Sequence, residues 1–289
     1  MTTPGTPDSQ PGPVTVIGPE GSARGYWRAC WAYRELLWFL ARRDILVRFR
    51  QTAVGVLWLL IRPAAQVLIY AMVFGHIAGL PSGGIAYPVL VMAGVTAWTL
   101  FAAIVNESTI ALTNNINLIT KVHFPRILLP LGTAAANLVD LAINLLACLA
   151  LMMVYGHSPS WRLLLLPLPV ALTMTAGLGL GIWFSAGCVR YRDFRQITPF
   201  LLNVLYLLGP VGYATAVVHE RLGPHAALFY YLNPLAGAID LMRWCLFPVT
   251  AAPTLHPGGL ALSTGVAVII LLWAQRYFRH AEKTFADVI

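Results

Sequence analysis

Residues 127–155 read ILLPLGTAAANLVDLAINLLACLALMMVY, a run of 29 residues with a single charged side chain, Asp140. Crossing the hydrocarbon core of a bilayer takes about 20 predominantly apolar residues in a helix. A surface helix of a soluble domain would carry a polar face along such a length. This stretch therefore predicts a membrane-spanning helix and decides the class of the fold.

Similar apolar runs lie on both sides of this stretch. The chain of 289 residues is 58% hydrophobic and only 10% charged, and a soluble domain could not keep that much apolar surface away from water. We predict an all-α membrane protein with a transmembrane domain at residues 54–277. Its six predicted spans are 56–77, 87–109, 127–155, 163–188, 197–218 and 260–277.

The basic residues indicate the orientation. Sixteen of the 19 lysines and arginines fall on one side of the predicted spans, and three fall on the other, namely Arg162, Arg221 and Arg243. Because loops rich in Lys and Arg stay in the cytoplasm, we expect both termini there. Residues 1–23, rich in Pro, Gly, Ser and Thr and without the apolar run of a secretory signal, predict a disordered cytoplasmic tail, and residues 278–289 a cytoplasmic C-terminal tail.

Residues 224–248 do not fit a simple span. Asn233-Pro234 interrupts a helix, and Asp240 and Arg243 would be unfavourable in contact with lipid. A seventh span would also place the basic C-terminal tail outside, against the charge rule. We therefore predict two short re-entrant helices before the last span, in contact with protein or with a water-filled path.

Composition and motifs exclude several classes of function. The net charge of +8 comes from short basic blocks between apolar runs, which is not the pattern of a nucleic-acid groove. The four cysteines form no CxxC pair, so neither a metal site nor a disulfide framework is predicted. Lys121 and Lys283 are the only lysines and neither follows a glycine, so the chain has no P-loop. We expect no cofactor in this chain, and if the protein does work against a gradient, another chain must supply the energy.

Residues 24–50 predict an amphipathic helix that lies at the membrane interface, with tryptophans at the boundary and arginines reaching lipid phosphates. The residues expected to contact the interface are Trp27, Trp31, Arg34, Trp38 and Arg42. The alternative is that this helix packs on another protein surface.

Five motifs resemble, in order and at the expected intervals, the membrane subunits of ABC-type polysaccharide exporters, which include the O-antigen, teichoic-acid and other lipid-linked glycan permeases. The motifs are RDILVRFRQTAVGVLWLLIRP (43–63), NLITKVHFPRILLP (117–130), VRYRDF (189–194), LNPLAGAIDLMRW (232–244) and FRHAEKTFADVI (278–289). The N-terminal tail departs from the family pattern.

The resemblance implies a homodimer of permeases with two ATP-binding subunits in the bacterial cytoplasmic membrane, and those partner subunits would bind the ATP and Mg²⁺. It implies that the polar segment 113–126, an ordinary loop on its composition alone, contains a coupling helix that docks into the ATPase, with the basic loop after residue 189 as a secondary contact. The residues given this role are Asn117, Leu118, Lys121, Val122, His123, Phe124, Pro125, Arg126, Arg190 and Arg192.

The resemblance also implies that the re-entrant helices close the outer mouth of a channel. The residues given this gate role are Tyr230, Tyr231, Asn233, Pro234, Asp240 and Arg243. It further implies that the amphipathic helix 24–50 lies beside the first span, in contact with membrane lipids.

A glycan channel needs aromatic faces, because rings stack on the CH surfaces of sugars without fixing a chain in place. Candidates at helical spacing are Tyr70, Phe74, Trp98, Phe101, Tyr206 and Tyr213. The alternative is that these rings fill helix contacts or interfacial belts. Carboxylates within membrane spans are rare and indicate a functional role. Asp140 lies deep in its span, and the alternative for it is a structural role with a partner in the protein. Glu107 lies near the cytoplasmic end of its span, and the alternative for it is that water solvates the carboxylate.

The main hypothesis is therefore a permease that exports a lipid-linked polysaccharide and is not an enzyme by itself. A drug, a lipid or a small glycolipid is the alternative cargo, since aromatic walls also suit amphiphiles. A membrane-embedded enzyme acting on lipids would need clustered His, Asp or Glu near one membrane face, and the carboxylates of this chain are dispersed.

Overall fold

In the part of the chain that it describes, the structure consists of helices joined by turns and contains no strand. This computed structural model describes residues 23–50, 57–158, 160–248, 255–282 and 285. Residues 1–22 and most of the predicted tail after 282 lie outside them. The helices are α1 (Ala23–Ala32), α2 (Arg34–Arg50), α3 (Leu57–Tyr70), α4 (Tyr87–Asn114), α5 (Ile116–Lys121), α6 (Leu128–Val154), α7 (Pro167–Arg190), α8 (Phe194–Leu208), α9 (Thr215–Tyr230), α10 (Pro234–Leu246) and α11 (Pro257–Glu282). The all-helical prediction is confirmed, as expected for a chain whose backbone polar groups must be satisfied inside lipid.

Five helical stretches are long and apolar enough to cross a bilayer. They are Leu57–Ile77, which joins α3 to a π-helical segment (Ala71–Ile77), then Tyr87–Asn114, Leu128–Val154, Trp161–Arg190, which joins a 3₁₀ turn (Trp161–Leu165) to α7, and Pro257–Glu282. Each coincides with a predicted span. The chain is thus a multi-pass membrane protein.

The predicted fifth span, 197–218, is wrong at its end. The helix α8 has 15 residues, about 22 Å, which is shorter than the hydrocarbon core of roughly 30 Å. Gly209 ends it with an extended backbone (ψ 153°), because the residue before a proline disfavours the helical conformation and Pro210 cannot continue the hydrogen-bond ladder. The chain then turns through residues 209–214 before α9 begins at Thr215.

The two predicted re-entrant helices are α9 and α10, which form a hairpin before the last span. The break at Asn233-Pro234 is confirmed: the Asn233 side chain accepts a hydrogen bond from the Leu235 amide at 3.1 Å, and Pro234 occupies the first turn of α10. The hairpin starts earlier than the predicted residue 224, because α9 runs from Thr215 and bends at Gly223, whose φ is +78°.

The predicted amphipathic helix 24–50 is two helices, α1 and α2, with a turn at Tyr33. One side packs on the chain itself: Leu40 is 1% exposed, and its Cβ lies 3.1 Å from the position that a Cβ on Gly132 of α6 would take. The other side exposes Trp31 and Trp38 at 74% and 71%. One face of the segment therefore packs on α6 of the same chain, and the contact of the other face with the membrane interface stays a prediction.

The α4 helix forms the centre of the bundle. Within its most apolar window 78% of the residues are buried, against 11–33% for the other four spans. Helices α6, α7 and α10 surround it. The approach of α7 depends on small residues, since a Cβ on Gly181 would lie 2.7 Å from the Cβ of Ser108. Close contact through such residues is how helices associate where the hydrophobic effect provides no force.

Candidate functional site

The six aromatic residues proposed for a channel form one contiguous group, which we call the aromatic cluster. Its members are Tyr70, Phe74, Trp98, Phe101, Tyr206 and Tyr213. Ring centroids lie 5.3 Å apart for Tyr70 and Phe74, 5.4 Å for Tyr70 and Tyr206, and 4.9 Å for Trp98 and Tyr206. These distances are typical of favourable aromatic pairs.

The cluster draws on α3, α4, α8 and the turn 209–214. Phe74 lies in the π-helical segment after α3, where Ala78 donates its backbone N–H to the Val73 carbonyl at 2.9 Å, five residues back. Such wider turns are often found at functional sites. Phe74 approaches Tyr213 with centroids 6.4 Å apart.

The aromatic cluster has a buried part and a partly exposed part. Phe101 and Trp98 are 1% and 7% exposed, so Phe101 lies behind Trp98 in the packed interior. The rings of Tyr70, Phe74 and Tyr206 are half-buried. The side of the cluster on α3 and α8 is therefore the side available to a ligand, and Phe101 supports it.

The cluster continues into the α9–α10 hairpin. The hydroxyls of Tyr213 and Tyr230 lie 2.9 Å apart, and the rings of Tyr230 and Tyr231 lie at 6.3 Å. The structure thus places the proposed wall and the tyrosines of the proposed gate in one continuous set of contacts.

Two other residues assigned to the gate, Arg243 and Asp240, lie in the packed interior. Arg243 is 1% exposed and donates hydrogen bonds to the carbonyls of Leu90, Tyr213 and Val211 at 3.3, 3.0 and 3.1 Å. The guanidinium thereby fastens the turn 209–214 to α4. Gly94 of α4 makes room for this contact, since a Cβ there would lie 2.6 Å from the Val211 carbonyl oxygen.

Asp240 holds the two helices of the hairpin together. Its carboxylate accepts hydrogen bonds from the hydroxyls of Thr215, at the start of α9, and Tyr231, in the turn, at 2.5 and 2.8 Å. Ser263 of α11 donates to the Tyr231 carbonyl at 2.8 Å. The hairpin is therefore fixed at both its base and its tip, and what it exposes is Phe229 (73%) and Leu232 (51%).

The predicted coupling segment is a short helix, α5, between α4 and α6. Ile119 turns inward at 8% exposure. The surface of the segment is formed by Asn114, Ile116, Asn117, Thr120, Lys121, Val122 and His123, which are all exposed. Leu118, Phe124, Pro125 and Arg126 are half-buried. A partner protein would therefore meet the exposed set first.

The basic loop lies beside this segment, as a secondary contact requires. Arg190 and Arg192 are exposed, and Arg195 donates to the hydroxyl of Thr113 at 2.7 Å. Arg195 was not among the predicted site residues, although it belongs to the same basic loop.

Arg126 points away from that surface and joins three elements at Glu282, an arrangement that we call the Glu282 junction. One carboxylate oxygen of Glu282 accepts the backbone N–H of Arg126 at 2.7 Å, and the other accepts the Tyr26 hydroxyl at 2.9 Å. The Arg126 guanidinium donates to the Glu282 carbonyl at 3.0 Å and lies 5.7 Å from the ring of Phe285.

The Glu282 junction links the end of the coupling segment to α1 and to the last span. Burial first, and then the Glu282 carboxylate, raise the pKa of Tyr26 above its ordinary value, so the phenol stays protonated and can donate. Neither Tyr26 nor Glu282 was predicted. The sequence offered two weak signals for this contact: Tyr26 is a tyrosine at the start of a predicted amphipathic helix, and Glu282 is an acidic residue in a basic tail.

A second ionic group lies within the spans and involves Arg48 at the end of α2. Its guanidinium forms ion pairs with Glu107, at 2.6 Å, and with Asp140. Asn137 accepts from Arg48 at 3.1 Å and donates to Glu107 at 2.8 Å. Glu107 is thus partnered by protein and not simply solvated, and Asp140 has the structural partner that one reading anticipated.

Comparison with known proteins places the chain in a family. The model of the ABC-2 type transporter family matches residues 35–247. An O-antigen export system permease protein RfbA of Myxococcus xanthus is 28% identical over 264 residues, covering 91% of this chain and 98% of the relative.

Other relatives carry related names. An RfbA permease of Klebsiella pneumoniae is 24% identical and covers 88% of this chain and 95% of its own length. The polysialic acid transport protein KpsM of Escherichia coli is 26% identical, and the alignment covers 84% of this chain and 93% of the relative. Since the family model spans well over half of the residues, the chain belongs to the membrane-spanning ABC-2 type transporter family.

Proposed function

We propose that the chain is the permease subunit of an ATP-driven exporter that moves a lipid-linked polysaccharide across the bacterial inner membrane. The support comes from relatives named for O-antigen export and polysialic acid transport, each aligned over more than four fifths of both chains. Both names describe polysaccharides, so a long glycan is the cargo that fits them best.

The observation that carries the glycan assignment is the aromatic cluster. Its rings pass from Trp98 through Tyr206 and Tyr70 to Phe74 and Tyr213, and several of them are half-buried. A row of ring faces gives a sliding sugar chain successive, similar contacts, because stacking needs no particular hydroxyl pattern. This is a binding surface suited to movement rather than to capture.

In the proposed assembly two copies face each other and enclose the channel between their aromatic clusters. The edge of α3 and α8 beside the cluster supports this arrangement, because Leu68 and Met72 are 66% and 57% exposed and Phe200 is 71% exposed. Two ATP-binding subunits complete the complex, since the sequence contains no P-loop of its own. Both termini and the coupling segment would lie in the cytoplasm.

ATP binding would close the two ATP-binding subunits and push on the exposed face of α5, including Lys121 and His123. The Glu282 junction would then carry the displacement to α11 and α1 as well as to α6, since Arg126 begins the connection into α6. The spans would tilt and admit the glycan, with the α9–α10 hairpin at the outer mouth.

The test of the cargo is export of surface glycan in cells whose own copy of the gene is deleted. A Phe74→Ala, Tyr206→Ala double variant removes two half-buried rings from the side available to a ligand. It should insert normally and slow export by roughly tenfold, because each lost stacking contact is worth about 0.5–1.5 kcal/mol. Trp161→Ala is the matched control, because Trp161 is 68% exposed and lies outside the cluster.

Normal export by the double variant would remove the aromatic cluster from the mechanism. Loss of drug resistance without loss of surface glycan in the deletion strain would favour a small amphiphile as cargo. Transport by the purified chain alone, with no ATP-binding subunit present, would contradict the proposed complex.

A further inference from the structure

A cavity lies between α1 and α11, next to the Glu282 junction. Its volume is about 170 Å³, and its lining residues are Tyr26, Trp27, Ile127, Leu272, Gln275, Arg276 and Arg279. None of the predicted roles of this chain uses the cavity, although Trp27 was expected to contact the interface.

The lining has two chemically different parts. Ile127, Leu272 and the rings of Tyr26 and Trp27 form an apolar floor. The polar side is formed by three residues within about one turn near the C-terminal end of α11, namely Gln275, Arg276 and Arg279. An apolar floor with cationic groups at one edge matches an amphiphile that has a negative head.

The two arginines are available to an anion. Among the described residues no carboxylate lies within ion-pair distance of either, and Arg279 is held 5.0 Å above the ring of Tyr26. The nearby Glu282 carboxylate is already bonded to Arg126 and to Tyr26. Glu282 interacts electrostatically with Arg279 as well as with Arg126, so at the edge of the cavity two arginines share one carboxylate that already has other partners, and the local charge is positive.

The position of the cavity selects the kind of amphiphile. It lies at the basic end of a membrane span, beside the exposed indole of Trp27 (40%), and aromatic and basic residues at the ends of spans mark the level of the lipid headgroups. Anionic phospholipids at the cytoplasmic surface attract clusters of Lys and Arg.

We propose that this cavity binds one anionic phospholipid of the surrounding membrane, with its phosphate between Arg276 and Arg279 and the start of an acyl chain on the apolar floor. A cavity of roughly 150 Å³ holds a molecule the size of benzene, so 170 Å³ suits a phosphate or a short stretch of chain but not a glycan. The site is distinct from the proposed channel and does not depend on which cargo the chain carries.

The bound lipid would bridge α1 and α11 at the point where both meet the Glu282 junction. Tyr26 contributes to both features, with its ring lining the cavity and its hydroxyl bonded to Glu282. Membrane composition would in this way affect how firmly α1 is held against the last span.

The experiment uses the full chain reconstituted in phosphatidylcholine vesicles with spin-labelled phosphatidylglycerol or, separately, spin-labelled phosphatidylcholine. The immobilised fraction should be several-fold larger for phosphatidylglycerol. Arg276→Gln with Arg279→Gln should bring that ratio close to one, since each basic residue near an anionic surface contributes roughly a fivefold preference. Arg221→Gln, an exposed arginine in α9, is the matched control and should keep the preference.

Three results would overturn the proposal: an equal immobilised fraction of both lipids with the unaltered chain, a preference that survives in the double variant, or a preference that is lost in the Arg221 control as well. If the double variant does not fold, brominated lipids test the unaltered chain. The fluorescence difference between the unaltered chain and Trp27→Phe gives the Trp27 signal, and brominated phosphatidylglycerol should quench it more than brominated phosphatidylcholine. Equal quenching would reject the site.

Discussion

The Glu282 junction yields the sharpest prediction, because graded substitutions remove its hydrogen bonds one at a time. Tyr26→Phe deletes one bond of 2.9 Å to the carboxylate and keeps the ring. Glu282→Ala deletes that bond and the 2.7 Å bond to the Arg126 amide. The hydrogen bond from the Arg126 guanidinium to the backbone carbonyl of Glu282 survives both changes.

The magnitudes follow from burial. A hydrogen bond to a charged group is worth about 1.5–3 kcal/mol, and Glu282 is only half-buried, so we take about 1 kcal/mol for Tyr26→Phe. Glu282→Ala also leaves the Tyr26 hydroxyl without an acceptor at a residue that is 6% exposed, which brings the loss to about 3 kcal/mol. These free energies would shift the equilibrium from the docked toward the undocked junction by roughly fivefold for Tyr26→Phe and by a factor on the order of 100 for Glu282→Ala.

The assay compares two rates in the complex of the chain with its proposed ATP-binding partner: ATP hydrolysis and glycan export. We expect Glu282→Ala to keep hydrolysis and to lose most export, with Tyr26→Phe between it and the unaltered chain. Tyr33→Phe is the control, a 40% exposed tyrosine in the turn between α1 and α2. If Glu282→Ala exports as much glycan per ATP as the unaltered chain, the junction does not transmit motion. Equal loss of both rates would instead indicate a failure to assemble.

Three further predictions concern stability and reactivity. Arg48→Met should lower the yield and melting temperature of the purified chain, because it removes the cation that pairs with Glu107 and Asp140. The three side chains are 18–33% exposed, so we take a cost of about 1–3 kcal/mol, below that of breaking a fully buried pair. Adding Glu107→Gln and Asp140→Asn should restore most of the loss, and no recovery would contradict the pairing. Gly94→Ala should lower the melting temperature more than Gly265→Ala, since a Cβ at Gly94 would lie 2.6 Å from a carbonyl oxygen of the turn 209–214, whereas the one at Gly265 meets open space. Burial raises the pKa of Cys30 to about 11, so its thiol should stay protonated and resist maleimide at pH 8. The rate of labelling should rise only as the pH approaches 11, and rapid labelling of Cys30 in the folded chain at pH 8 would show that this residue is not buried.

Hydropathy and charge were sufficient to predict the class of fold and five of the spans, because in lipid a long apolar run has few alternatives to a helix. The break at Asn233-Pro234 was also predictable from the sequence, because a proline is favoured in the first turn of a helix and so indicates where α10 begins. The end of α8 was missed although Gly209-Pro210 signalled it, because hydropathy continues through 218 and outweighed the local backbone preference.

The aromatic cluster was predictable in membership but not in arrangement. Helical spacing brought Tyr70 together with Phe74 and Trp98 together with Phe101, yet only the packing of α3 and α8 on α4 shows that these pairs meet. Phe101 was assigned to the channel wall on spacing, whereas the tertiary structure places it behind Trp98.

The ionic contacts were the least predictable part. Arg48 lies 59 residues before Glu107 and 92 before Asp140, and no local pattern relates them. The same holds for Arg126 and Glu282, which are 156 residues apart. Residues that are common in cytoplasmic loops give no signal of their own when they serve to join distant helices.

The long separation between Arg48 and its partners has a consequence for biosynthesis. At about 5–20 residues per second, a ribosome takes roughly 5–20 s to make the 92 residues between Arg48 and Asp140. During that interval α2 has only part of its docking site, so the nascent chain must leave this helix at the membrane surface until α6 is inserted. The ion pair between Arg48 and Asp140 can therefore form only once α6 has been synthesised, which makes it a late step in the assembly of the first helices.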